Sequence, residues 1–158
     1  MRIRTATRDD LPALLALITE GDGEVGPDHE RAFASIDADP RNELLVLDDA
    51  GTVVGCLQAT YIPGLGRRGA ERVLLEAVRV RPDRRGAGLG RHLIVQALER
   101  ARLRGCALAQ LTSHKRRTEA HRFYTSLGFE PTHDGFKRAL DPALGTSPHA
   151  GPAHGDRP

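Results

Sequence analysis

A segment rich in glycine and arginine, residues 81–91, has the composition of an anion-binding turn. It reads Arg-Pro-Asp-Arg-Arg-Gly-Ala-Gly-Leu-Gly-Arg and joins a predicted strand to a predicted helix. Glycines let the backbone turn tightly and leave its N–H groups uncovered, and these donors add to the positive field at the start of the helix. The guanidinium groups of its four arginines favour phosphate and carboxylate. The segment therefore predicts a phosphate site, although an ordinary strand-to-helix connection can share this composition.

Two widespread phosphate-binding motifs do not match this turn. A dinucleotide fingerprint, G-x-G-x-x-G, that began at Gly86 would need glycine where the chain has Arg91. A P-loop would need Gly-Lys-Ser or Gly-Lys-Thr, and the sequence contains neither. The spacing that remains is Arg85-x-x-Gly88-x-Gly90.

A second motif lies further along the chain, where residues 120–130 read Ala-His-Arg-Phe-Tyr-Thr-Ser-Leu-Gly-Phe-Glu. The two motifs resemble the acetyl-coenzyme A signature and the A-x-x-F-Y-x-x-x-G-F motif of the GNAT N-acetyltransferases. The resemblance covers roughly residues 2–140, and both motifs occur in the family's order. Residues 111–124 and 136–140 are similar to the subgroup that includes the aminoalkylphosphonate N-acetyltransferases, which does not fix the substrate.

This resemblance implies an enzyme that transfers the acetyl group of acetyl-CoA to a primary amine of a small molecule, by direct transfer in a ternary complex. The backbone of Val78 and Val80 would pair with the pantetheine arm, an N–H at or near Val78 would hold the developing oxyanion, and residues 85–90 would bind the pyrophosphate. Many relatives have asparagine where this chain has Arg117, so the asparagine contact to the pantetheine arm is not assumed here. The implied cofactor contacts are Val78, Arg79, Val80, Arg85, Gly86, Ala87, Gly88, Leu89, Gly90, Arg91, Arg117 and Tyr124.

Two residues are candidates for moving protons. An alkyl amine with a solution pKa near ~10 is charged at neutral pH, so the site must remove a proton or desolvate the amine. Glu76 is the candidate base, because strict alternation would place it on one strand face with Val78 and Val80. A solvated carboxylate, with a water chain as the base, is the alternative. Tyr124 corresponds to the tyrosine that protonates the leaving thiolate in the family. The alternative interpretation is that Tyr124 only packs in the core.

The predicted elements that position these residues form a mixed α/β fold. Strands are expected at 3–6, 44–47, 52–57, 73–80 and 106–112, with a final short pair within 129–140; the central pair at 44–57 forms an antiparallel hairpin. Helices are expected over 11–18, 28–38, 89–104 and 118–127. The resemblance implies the GNAT fold, a largely antiparallel twisted sheet of about seven strands flanked by about four helices. Residues 1–140 would form a single domain and 141–158 a disordered tail.

Composition excludes several other classes. The formal net charge of +2 over 158 residues gives no expectation of a nucleic-acid partner. No apolar run approaches the roughly 18 residues of a membrane span, and the N-terminus has no signal-peptide core, so we expect no membrane partner and a cytoplasmic protein. Cys56 and Cys106 lack C-x-x-C spacing and the histidines lack H-E-x-x-H spacing, so no metal site is expected. Both cysteines are interpreted as small core residues.

Several hypotheses stay open at this point. The acceptor could be a protein or peptide, or the chain could be a non-catalytic module that binds acetyl-CoA. The resemblance also implies a possible homodimer, because relatives often pair through their last strands. Asp22, Glu24 and His29 lie where the family's early helices and loop wall the acceptor site, and they could meet a cationic substrate.

Overall fold

One open sheet carries the fold in the computed structural model, which describes residues 1–19, 21 and 23–141. Neighbouring strands lie side by side in chain order. Each of the first three pairs is antiparallel, whereas the last two strands are parallel. The predicted mixed, largely antiparallel sheet is therefore confirmed. Its strands are β1 (Arg2–Thr5), β2 (Asn42–Asp49), β3 (Thr52–Ile62), β4 (Arg72–Val80) and β5 (Leu108–Leu111).

Aliphatic side chains form one core on each face of this sheet. The core beneath helix α3 (Leu89–Arg104), called the α3-side core, contains the fully buried Leu57, Leu75 and Leu93. The core beneath helix α1 (Leu11–Thr19), called the α1-side core, contains Leu14 and Phe33. Helices that present an apolar face cover both surfaces, because a sheet face with this much apolar area must be removed from water. The α-helices of the described residues are α1 (Leu11–Thr19), α2 (Pro27–Ala38), α3 (Leu89–Arg104) and α4 (Thr118–Thr125).

The predicted hairpin joins β2 to β3. Ala50 and Gly51 at its tip both have positive φ, 50° and 88°, which suits the tight turn that matches strand twist. The Asp48 side chain accepts a hydrogen bond from the Gly51 N–H at 2.7 Å. The turn is therefore fixed by backbone angles and by a side-chain contact.

The sheet has five strands within the described residues rather than the expected seven. The two that were expected within 129–140 are not formed. Pro131 cannot donate to a ladder and Gly135 adds no packing, and Phe136 is 95% exposed, so no buried face fixes a register there. The edge strand on this side of the sheet is consequently β5, and β1 forms the other edge. The predicted tail beyond Asp141 lies outside the described residues.

A buried ion network ties β1 to the hairpin and to the start of α1. The guanidinium of Arg4 donates to Asp48 at 2.8 Å and to both carboxylate oxygens of Asp10 at 2.7 and 2.8 Å. Asp10 also accepts a hydrogen bond from the Thr7 N–H at 2.7 Å. The hydrogen bonds from Arg4 and Thr7 outweigh desolvation and lower the pKa of Asp10 to about 2. The network holds α1 against the sheet.

We expect the variant Asp10→Asn to lose about 2 kcal/mol of unfolding free energy at pH 7. Because folding lowers the pKa of Asp10 from 3.8 to about 2, its contribution is complete above pH 4 and disappears as pH falls through the folded value. Urea unfolding of both proteins between pH 7 and pH 2 measures this difference. Asp28→Asn, which removes the exposed partner of Arg31, is the control and should change stability little. A pH-independent difference for Asp10→Asn would contradict the account.

Candidate active site

Strands β4 and β5 separate part way along their length. They pair only from Arg72 with Leu108 to Leu75 with Leu111, after which β4 continues to Val80. On its other side β4 stays paired with β3 up to Val80 opposite Gly55. Within the described residues, the edge of β4 over 76–80 therefore has no strand beside it. We call the gap between residues 76–80 and residues 112–117 the cleft.

Val78 and Val80 turn their backbone groups toward the cleft. The Arg81 N–H donates to the Val54 carbonyl on β3 at 2.9 Å. Because successive residues of a strand direct their backbone groups to opposite edges, Val80 and Val78 present theirs to the open edge. There the Val80 carbonyl accepts a hydrogen bond from Arg85 Nε at 3.2 Å. This edge can pair with a ligand that supplies amide groups as a strand does.

A β-bulge interrupts β4 at the cleft. Gln58 pairs with Glu76 and Cys56 pairs with Arg79, so two residues of β4 oppose the single residue between them on β3. Ala77 in the bulge has φ of 48°, a left-handed conformation that residues with a side chain rarely adopt. The bulge bends the strand where its partner β5 ends.

The bulge overturns the expected strand alternation. Val78 and Val80 pack against the α3-side core, together with Leu75. Glu76 lies opposite Gln58 on the other face and is exposed. The prediction that Glu76 shares a face with Val78 and Val80 is therefore wrong, because the inserted residue shifts the two-residue period. Glu76 still lies at the rim of the cleft, on the side of the sheet that carries α1 and α2.

The side chain of Cys56 forms a hydrogen bond to the bulge. Its thiol is fully buried and donates to the Ala77 carbonyl at 3.4 Å. Burial raises the pKa of the Cys56 thiol to about 12, so it remains a neutral donor. The expectation of a small core residue is confirmed for Cys56, and Cys106 packs partly buried against the α3-side core. Sequence reasoning missed the bulge, because an alanine gives no signal of positive φ.

The glycine turn lies at the end of β4 and opens into α3. Gly86 and Gly88 have φ of 82° and 76°, and Gly88 is the N-terminal cap of the helix. A side chain at either position would be strained. A Cβ on Gly90 would lie 3.4 Å from the ring of Phe123, so glycine here allows α3 and α4 to approach closely. The first N–H groups of α3 thus face outward without side-chain cover, as an anion site requires.

The arginines of this turn divide into two groups. Arg81 forms an ion pair with Asp83 at 2.7 Å, and Arg84 forms one with Asp49. Arg85 and Arg91 form no ion pair within the described residues; Arg91 donates to Ser126 at 2.9 Å. Their charge is therefore available to an anion beside the helix start.

Tyr124 lies on α4 and packs on the aromatic side chains beside the cleft. Its ring centroid is 5.2 Å from that of Phe123 and 6.0 Å from that of Phe129. Burial raises the pKa of Tyr124, and the positive charges of Arg117 and Arg79 oppose this effect. The phenol is therefore protonated at neutral pH. Its hydroxyl makes no hydrogen bond to another described residue.

Two buried polar atoms of the described residues lack a hydrogen-bond partner, and both lie at the cleft. One is Nε of Arg79 on β4, and the other is Oγ of Ser113, two residues beyond the end of β5. Arg117 lies nearby at the N-terminal cap of α4. Sequence reasoning did not identify Ser113. Orphaned buried atoms of this kind are rare in folded proteins and are often satisfied by a ligand.

The candidates on the loop before α2 are less informative. His29 Nδ1 accepts a hydrogen bond from the Gly26 N–H at 3.1 Å, so this imidazole caps α2. Asp22 lies outside the described residues. In the part of the chain that the structure describes, no three His, Cys, Asp or Glu side chains come together as a metal site would need. No described helix combines the length and apolar character needed to cross a bilayer.

Comparisons with known proteins show the family to which the chain is related. The model of the acetyltransferase (GNAT) family matches residues 9–129. The chain is 32% identical over 143 residues to an aminoalkylphosphonate N-acetyltransferase from Salmonella typhimurium, a match that covers 87% of this chain and 90% of that protein. The relationship therefore extends over almost the whole of both chains.

Solved structures share the fold. A structure described as a transcriptional regulator from Bacillus halodurans C-125 has a TM-score of 0.84 at 38% identity, over 88% of this chain and 99% of that one. An aminoglycoside N-acetyltransferase in complex with CoA has a TM-score of 0.73 at 18% identity, over 89% of this chain and 99% of that one, which supports the fold alone. Because the family model spans most of the chain and the Salmonella relative matches along nearly its full length, the chain belongs to the GNAT family of acetyltransferases.

Proposed function

We propose that this acetyltransferase transfers the acetyl group of acetyl-CoA to the primary amine of a small molecule, directly and in a ternary complex. The observation that carries the proposal is the open edge of β4 between the glycine turn and Tyr124. A ligand with an extended diamide arm and a diphosphate fits this arrangement, because the edge supplies strand-like pairing and the turn supplies an anion site.

The cofactor contacts follow from the cleft. Val78 and Val80 pair with the amides of the pantetheine arm, and an N–H at or near Val78 donates to the thioester oxygen as charge develops there. The backbone from Arg85 through Gly86, Ala87, Gly88 and Leu89 to Gly90 holds the pyrophosphate, with Arg91 beside it. Arg79 and Arg117 line the cleft near Tyr124. Acetyl-CoA supplies the activated acetyl group.

Glu76 takes the proton from the amine. It is exposed at the rim of the cleft on the α1 side, beside the open backbone edge of β4 that pairs with the cofactor arm. The ammonium first loses one proton to water through Glu76, which frees the lone pair of the nitrogen. As the neutral nitrogen bonds to the acetyl carbon and the carbon–sulfur bond breaks, the carboxylate accepts a second proton from the nitrogen. A water molecule between Glu76 and the amine would serve the same path.

Tyr124 gives its proton to the departing thiolate. Burial makes the phenol a poorer acid than in water, because it raises the pKa of Tyr124, and the charges of Arg117 and Arg79 compensate in part. The phenol is neutral before the reaction and its hydroxyl has no other partner among the described residues. The proton is therefore present and free to move when the thiolate forms.

The relatives support an amine acceptor. The Salmonella protein acts, by its name, on an aminoalkylphosphonate, which is a small primary amine. The name of the Bacillus halodurans protein suggests a regulator instead. The net charge of +2 gives little attraction to nucleic acid, so we favour the enzyme over a DNA-binding role.

The direct test is thiol release from acetyl-CoA across a panel of amines. Aminoalkylphosphonates, amino sugars, polyamines, amino acids and short peptides are assayed with a colorimetric thiol reagent. We expect turnover with at least one class of small amine, and an acetylated product of the added amine by mass spectrometry. Turnover on peptides alone would replace the small-molecule acceptor by a protein. Cofactor binding with no turnover on any class would leave a non-catalytic module.

Removing either proton-transfer group should slow catalysis far more than it weakens cofactor binding. We expect Tyr124→Phe and Glu76→Gln each to lower kcat by about 100-fold, the lower range for general acid–base groups, because each leaves one proton transfer to water. Steady-state rates give kcat, and calorimetric titration gives the Kd for acetyl-CoA. The matched control is Tyr61→Phe, whose phenol donates to Glu43 at 3.0 Å at the other end of the sheet and should leave kcat unchanged. An unchanged kcat for Tyr124→Phe would remove its proposed role.

A further inference from the structure

Arg79 carries a positive charge that no carboxylate of the described residues neutralises. Its guanidinium donates one hydrogen bond, from Nη1 to the Val78 carbonyl at 3.1 Å. Its Nε is buried without a partner. Nearby Arg81 and Arg84 form ion pairs, so carboxylates are not scarce in this region. A buried charged donor without a partner is costly to the fold and is satisfied when an anion binds.

The bulge separates Arg79 from the residues that face the cofactor arm. Val78 and Val80 pack toward the α3-side core, whereas Arg79 lies opposite Cys56 on the face that also carries Glu76. Their partners on β3, Cys56 and Gln58, are two residues apart, which is roughly 7 Å along a strand. A carboxylate and a guanidinium thus lie in line along the acceptor side of β4. With their backbone positions roughly 7 Å apart, the two side chains can meet the two ends of a short zwitterion.

Ser113 supplies a second unsatisfied group from the opposite wall. The last pair of β4 and β5 is Leu75 with Leu111, so Ser113 and Ala77 each lie two residues beyond it. The Ser113 hydroxyl is buried and has no partner among the described residues. A hydroxyl can donate to an oxyanion that Arg79 also binds. The two orphaned side-chain atoms thus belong to the two walls of the cleft, residues 76–80 and residues 112–117.

The positive charge at the cleft also favours an amine whose other end is an anion. The guanidinium groups of Arg79 and Arg117 both lie close enough to Tyr124 to act on the pKa of its phenol, so two positive charges border the cleft. A polyamine would bring a second positive charge near these two and would be repelled. An amine that carries an anion at its other end would be attracted.

We infer that Arg79 is the residue that determines specificity for an anionic acceptor. This inference rests on the proposed acetyl transfer. The acceptor is a short primary amine whose far end is a phosphonate, phosphate or carboxylate. Arg79 and Ser113 donate to the oxyanion, while Glu76 meets the amine. The Arg79 side chain binds the acceptor, whereas the backbone of Val78 and Val80 binds the cofactor arm.

The test compares acceptors that differ only in the anion. An aminoalkylphosphonate, the aminoalkyl phosphate ester and the amino acid of equal chain length are measured against the amino alcohol. We expect Arg79→Met to raise KM for the preferred anionic amine by about 10- to 100-fold, as loss of a charged hydrogen bond does, and to leave KM for the amino alcohol and KM for acetyl-CoA within about twofold. A fall in kcat caused by the loss of the charge beside Tyr124 should be equal for the anionic amine and the amino alcohol. The wild-type ranking of the three anions identifies which one the site takes.

Several results would overturn the inference. An equal rise in KM for the amino alcohol would mean that Arg79 does not recognise the anion, and a raised KM for acetyl-CoA would make it a cofactor contact. Arg102→Met, which removes an exposed arginine of α3, is the control and should change neither value. If Arg79→Met does not fold, Arg79→Lys and Ser113→Ala should each give a smaller rise in KM, confined to the anionic amines.

Direct binding separates this inference from the proposed activity. If the wild-type protein binds acetyl-CoA but acetylates no amine, the proposed function has failed. Calorimetric titration of the CoA-bound protein with the aminoalkylphosphonate then still reports on Arg79. Binding that weakens at least tenfold in Arg79→Met supports the anion site, and equal binding or none in the wild-type protein refutes it.

Discussion

The open backbone edge of β4 is the constraint on which the rest of the structure depends. A strand that loses its partner exposes N–H and C=O groups, and leaving such groups unpaired in a sheltered place costs free energy. Here β5 ends at Leu111 while β4 continues to Val80. The bulge at Ala77, held by the buried Cys56 thiol, bends β4 at this point. A ligand that supplies amide groups can pair with this edge as a strand would.

The distribution of arginine charge complements this edge. Most arginines on the flanks form ion pairs, so they contribute little field to the cleft. At the cleft and the glycine turn, Arg79, Arg85 and Arg91 form no ion pair within the described residues. In the proposed complex β4 serves two anion-binding regions: the turn at its end would bind the diphosphate, and Arg79 would bind the anionic end of the acceptor. The net charge of +2 does not reveal this local excess.

Local sequence signals predicted most of the helices and strands, but only part of the cleft. The hairpin with Gly51, the helix that ends at Gly105 and the two motifs follow from short-range chemistry, and the structure contains all of them. The bulge depends on how β3, β4 and the Cys56 thiol fit together, so the alternation argument for Glu76 failed. The strands expected within 129–140 failed because their apolar residues, such as Phe136, find no buried face. The orphaned Ser113 is visible only once β5 has been placed beside β4.

Hydrogen–deuterium exchange with and without acetyl-CoA tests the central claim most directly. Exchange of individual backbone amides reports which N–H groups become hydrogen-bonded on binding. The account predicts that acetyl-CoA slows exchange at Val78 and Val80 and across residues 86–90, with little change at Arg79 and Arg81, whose backbone faces β3. Protection confined to other segments, or binding that leaves the amides of Val78 and Val80 as exchangeable as before, would contradict it.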